Sequence, residues 1–144
     1  MSRAHRVFAW YSVLLAALHL TGELAYHFRF GQPLPGLIVD FVAVSLLWLG
    51  AWLLLARGWH AGVLCGAWGF ELCLTYRSFF WRLAEMQEGT ASEVTRNTAY
   101  VLGALLVLVL VSFVYSIWLC RPPGSTPAQA YEEREGYNQV PHRG

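Results

Sequence analysis

The sequence has no lysine: all ten of its Lys/Arg positions are arginine. That bias is expected of a GC-rich, bacterial gene. Charge of either sign is scarce. Asp, Glu, Lys and Arg make up 13% of the chain, about half the ~25% of a soluble domain. With 144 residues there is material for one domain, and a soluble fold of that size needs far more polar surface. The net charge of +1 and the lack of any basic stretch exclude an electrostatic hold on nucleic acid. Cysteine is also sparse. Cys65, Cys73 and Cys120 are odd in number, contain no C-x-x-C spacing and lie in or at the end of apolar segments. A disulfide framework is therefore excluded, and the thiols read as small apolar packers.

What the chain does have is long apolar runs. A membrane span needs ~20 mostly apolar residues, and four stretches qualify, at about 7–28, 36–56, 59–83 and 98–120. The connections between them are short. Gly31, Pro33 and Pro35 break the chain after the first run, and Arg57 and Gly58 form a tight turn after the second. A longer polar stretch precedes the fourth run. There Thr90 and Glu93 match a capping box, so the fourth helix is expected to start ahead of the membrane. Trp10, Tyr11, Trp59, Trp81, Tyr100 and Trp118 lie near the segment ends, as an aromatic belt requires. The first run is too long for a signal-peptide core and lacks a good cleavage site, so it is expected to be retained. Residues 121–144 are polar, rich in Pro and Gly and without periodicity, and are expected to be a disordered tail. The fold class expected is all-α: an integral membrane four-helix bundle with a disordered C-terminal tail.

Orientation follows from arginine. Arg3, Arg6, Arg57 and Arg121 fall on one side, and Arg29, Arg82 and Arg96 on the other. The positive-inside rule then puts both termini in the cytoplasm of a multi-pass protein of the bacterial inner membrane.

Ionisable residues inside the spans are the informative ones, because a charge at the bilayer centre costs at least ~2.5–3.5 kcal/mol. His19, Glu23 and His27 are spaced i, i+4, i+8 and drift only ~80° around the helix, forming one stripe. Ser12 and Tyr26 share that face. Glu71, Thr75, Ser78 and Arg82 form a second stripe on the third span. Its opposite face carries Gly58, Gly62, Gly66 and Gly69, a small-residue surface suited to close helix approach and to a homo-oligomer or another membrane protein. By helical rise, His19 and Glu71 fall near the midplane, and Glu23, Asp40 and Arg77 roughly 7–9 Å toward the outer side. His27 and Arg82 lie higher. The candidate buried polar cluster is therefore His19, Glu23, His27, Asp40, Glu71, Arg77 and Arg82, with Arg77 somewhat off the Glu71 face.

These residues permit several chemistries. A haem needs axial histidines from two helices. His19 and His27 share one helix, and His60 lies at the wrong depth, so no haem is expected. For a metal ion, His19 and His27 stand ~12 Å apart along the axis, too far for one ion. One His with Glu23 and a carboxylate from another helix is geometrically allowed, but the H-E-x-x-H motif is absent, and no metal or other cofactor is expected. The lipid bilayer is the expected partner. The reading that follows is a non-catalytic accessory or ligand-binding membrane protein whose buried polar cluster holds helices or ligand. The alternative is a small membrane enzyme or proton-coupled carrier acting through intramembrane Glu, His and Arg on a lipophilic or small substrate.

Overall fold

A computed structural model describes residues 3–31, 34–57 and 61–120. The expected tail at 121–144, Gly58, Trp59 and His60 lie outside the described residues. Four helices follow one another: α1 (Arg3–Phe30), α2 (Leu34–Arg57), α3 (Ala61–Gln87) and α4 (Glu93–Leu119). Their lengths of 24 to 28 residues correspond to about 36–42 Å, more than a ~30 Å hydrocarbon core. The chain is an all-α, four-helix, membrane-spanning bundle.

The helix ends have local causes. Gly31 takes φ +72° and its N–H donates to the His27 carbonyl at 2.9 Å, closing α1 in the left-handed conformation that glycine tolerates. Gly89 does the same for α3, where Thr90 N–H reaches the Glu85 carbonyl at 3.1 Å and the Thr90 hydroxyl donates to that oxygen too. With Thr90 committed to closing α3, the cap of α4 moves two residues on from the expected position. Ser92 is the N-cap, and its Oγ accepts from Thr95 N–H at 3.1 Å.

Each helix packs on the next in sequence, as short connections between antiparallel helices dictate. Glycine sets the closest approaches. A Cβ placed on Gly50 would lie 2.7 Å from the Leu64 Cα, so α2 and α3 nearly touch backbone to backbone. Gly69 receives the ring of Phe113 from α4, and Gly103 receives Phe79 from α3. Thus α3 is gripped on both sides. α1 reaches across the bundle by long side chains instead. Phe8 meets Tyr115 edge-on at 4.9 Å, and Tyr11 stacks on Trp68 at 5.8 Å.

The outer surface is apolar. Val7, Leu14 and Leu18 on α1 are 61%, 61% and 62% exposed, and Val107, Val111 and Val114 on α4 are similarly bare. In water such stripes would aggregate; in a bilayer they are the lipid face. By length and composition α1, α2 and α4 are apolar enough to cross a membrane unaided. α3 is as long but carries Glu71, Arg77 and Arg82. Its Glu71 is 1% exposed, so the charge is turned inward rather than to lipid.

Candidate functional site

Two hydroxyl chains floor the site on the side nearer the start of α1. The single proton of Ser12 goes to the Phe8 carbonyl at 2.9 Å, so its oxygen accepts from Trp68 Nε1–H at 3.2 Å. In the same way Ser112 donates to the Leu108 carbonyl at 2.8 Å and accepts from the Tyr11 hydroxyl at 3.0 Å. These bonds tie α1 to α3 and to α4. They satisfy every hydroxyl and indole they contain, as a dry interior demands. Phe8, Tyr11, Trp68 and Tyr115 fill the space between them as an aromatic plug.

About one helical turn further along α3 from Trp68 is Glu71, and nearly two turns further along α1 from Ser12 is His19. The two meet: His19 Nδ1 lies 2.8 Å from Glu71 Oε1. The contact is short enough for an ion pair, although the ring N–H is not aligned for a hydrogen bond. The second oxygen, Oε2, accepts no hydrogen bond among the described residues and is fully buried. The other ring nitrogen faces outward. Nε2 lies 3.8 Å from Asp40 Oδ1 of α2 and 4.0 Å from Glu23 Oε1 of α1. Side-chain exposure rises in that direction, from 1% at Glu71 through 13% at His19 and 17% at Asp40 to 33% at Glu23. The site is therefore closed below by aromatics and open above. One donor atom from each of His19, Glu23 and Asp40 falls within 4.8 Å of the others, a spacing that a single cation can bridge.

The protein thus has a buried polar cluster of His19, Glu23, Asp40 and Glu71, drawn from three helices. Arg77 and Arg82, expected in the same cluster, make other contacts. His27 packs edge-on to Phe28 at 5.6 Å. Arg77 is exposed, and Arg82 donates from Nη1 to the Ser78 carbonyl one turn back at 3.1 Å. Among the described residues no ion pair joins an arginine to the cluster. Helical phase explains the split. Arg77 lies six residues from Glu71, about 120° away in azimuth once whole turns are removed, so α3 turns it off the inward face.

Three features escaped the sequence reading. Gly50, not the α3 glycine stripe, makes the closest helix contact, and Gly62 and Gly66 have open space around them. Ser112 was not singled out, yet it receives Tyr11; its signal was a serine inside the purest apolar run. Cys73 and Cys120 are exposed rather than packed in the core, and all three thiols are free. Comparison with protein-family models, with curated proteins and with solved structures gives no match.

Proposed function

We propose that this is a non-catalytic, ligand-binding membrane protein whose ligand is a small cation held at the His19 cluster. One observation carries the reading: carboxylates from α1, α2 and α3 converge on a single imidazole. Even with His19 positive, full ionisation would leave these four side chains with two net negative charges between them. Such an excess is costly unless protons or a cation neutralise it. The outward gradient of exposure supplies an entry path from the outer half of the bilayer.

The alternative roles draw less support. A proton-coupled carrier would use His19, with carboxylates at both ring nitrogens, as a relay. The relay ends at Glu71, however, because the Ser12 and Ser112 protons are committed to backbone carbonyls and aromatics fill the space below. An enzyme needs a substrate cavity beside its acid and base. Among the described residues, two shallow, open depressions lie elsewhere, one on α2 around Phe41 and one between α1 and α4 around Phe8 and Tyr115. In this reading His27, Arg77 and Arg82 are not ligands of the cation.

Placement in a bacterial inner membrane with both termini cytoplasmic rests on the arginine asymmetry. Self-association through Gly58, Gly62, Gly66 and Gly69 is supported by the open space at Gly62 and Gly66, whereas Gly69 already holds Phe113.

The test is thermal unfolding of the purified protein in detergent against a panel of monovalent and divalent cations. At least one cation is expected to raise the midpoint, and Glu23→Gln with Glu71→Gln is expected to abolish the rise. If no cation moves the midpoint and the double variant is simply more stable, the cluster is a structural feature and this reading is wrong.

A further inference from the structure

We infer that the cation is a first-row divalent transition metal, bound by His19 Nε2, Glu23 and Asp40, with Glu71 as the positioning residue behind the imidazole. The inference rests on the cation-binding reading and narrows it.

Geometry comes first. Bonds of ~2.1 Å in a tetrahedron put donors about 3.4 Å apart. The donors here are 3.8 and 4.0 Å from Nε2, and all lie within 4.8 Å of one another. They close by about 0.4–1.4 Å to reach that spacing, a movement that carboxylate torsions supply. Glu23 shares a helix with His19 at i, i+4, so two donors are held by one element, and Asp40 brings the third from α2.

The second observation is Glu71, which is independent of the three donors. It is 1% exposed, has an oxygen with no hydrogen-bond partner among the described residues, and stands 2.8 Å from Nδ1. Metal-bound histidines commonly give their remaining N–H to a carboxylate, which fixes the tautomer and ring orientation and raises ligand basicity. With Nδ1 carrying the proton toward Glu71, Nε2 presents its lone pair outward to Glu23 and Asp40. A small ring rotation aligns Nδ1–H with Oε1. The unaligned nitrogen then has a partner in Oε1, and the buried carboxylate becomes the supporting half of a ligand set.

Charge selects the ion further. With Glu23, Asp40 and Glu71 ionised and His19 neutral, a dication brings these side chains from three negative charges to one, whereas a monovalent ion leaves two, so the higher charge is favoured in an interior position. The mixed nitrogen and oxygen donors favour Mn²⁺, Fe²⁺, Co²⁺ or Zn²⁺ over Mg²⁺ and Ca²⁺, which prefer all-oxygen shells. The fourth position points outward, where solvent or a further ligand completes the shell.

The experiment uses the full chain in detergent micelles, stripped with chelator and titrated with Co²⁺, whose visible d–d bands report coordination. One equivalent is expected to bind with a four- or five-coordinate spectrum. His19→Gln and Asp40→Asn are expected to abolish it. Glu71→Gln is expected to weaken binding by about 10–100-fold while retaining a one-to-one spectrum, a change that a merely structural role would not produce. His27→Gln, and Cys65, Cys73 and Cys120 changed together to serine, are expected to leave it unaltered. A Co²⁺ spectrum that persists in His19→Gln, or none in the wild-type chain, overturns the assignment. If Co²⁺ fails while Na⁺, Mg²⁺ or Ca²⁺ raises the unfolding midpoint in a Glu71-dependent way, the transition metal is wrong and the broader cation reading stands. If every cation fails, both fall.

Discussion

His19 is the residue on which the interior charges depend. With its imidazole removed, Glu23, Asp40 and Glu71 keep their positions without the cationic group they surround. Breaking a buried ion pair from one side typically costs 3–5 kcal/mol. His19→Ala should therefore lower stability by about that amount in detergent unfolding, and Glu71→Gln in the same chain should restore part of the loss. A double-variant loss equal to the sum of the His19→Ala and Glu71→Gln losses measured singly would mean that the two residues do not interact. Glycine supplies a second contrast. Gly50→Ala places a methyl 2.7 Å from the Leu64 Cα, and overpacking against backbone costs about 1–3 kcal/mol or more. Gly66→Ala meets open space. It should leave monomer stability within about 0.5 kcal/mol and, where the stripe forms an oligomer contact, shift sedimentation toward the monomer.

The element that stands out is α3. Three helices are apolar enough to insert on their own, and α3 is the one that is not. Each charge near the centre adds about 2.5–3.5 kcal/mol to insertion, so α3 needs α2 and α4 beside it. A glycosylation-mapping assay should find the α3 segment poorly inserted alone, well inserted with α2, and rescued alone by Glu71→Leu. Efficient insertion of the isolated wild-type segment would contradict this. At the start of α4, Ser92→Ala removes the cap to Thr95 N–H and should cost about 1 kcal/mol, measured by the same unfolding assay.

At the scale of the whole molecule, four spans place the start of α1, the α2–α3 connection and the end of α4 on one side of the membrane. Cysteine-accessibility labelling of single-cysteine variants at Arg3, Arg57 and Cys120 should report the same side, and Gly89 the other. Cation binding should also depend on pH with a definite sign. Protons and the cation compete for the same lone pairs of His19, Glu23 and Asp40, so affinity falls as pH falls. The cation's stabilisation, RT ln(1 + [L]/Kd), shrinks with it. An unfolding-midpoint shift that grows toward acid would contradict a site made of these ligands.

Helix number and the identity of the deep charges were legible before any coordinates, because both are one-dimensional properties. Run length against bilayer thickness counts α1, α2 and α4, and it counts α3 despite its charges. Spacings of three and four put Glu71 and Thr75 on one inward face. The fixed rise per residue brought His19, Glu23, Asp40 and Glu71 to neighbouring depths. Helical rise says nothing about azimuth between helices, and that is where the seven expected residues divide. Whether Arg77 or Asp40 turns toward His19 depends on how α2 and α3 rotate about their axes. Their rotation is set by contacts such as Gly50 on Leu64 and Phe113 on Gly69, which involve residues far apart in the chain. The depth of the charges was written in the order of the residues. The pairing of His19 Nδ1 with Glu71, and of Nε2 with Asp40 and Glu23, came from packing alone, because side chains on different helices meet only after the interior has closed around them.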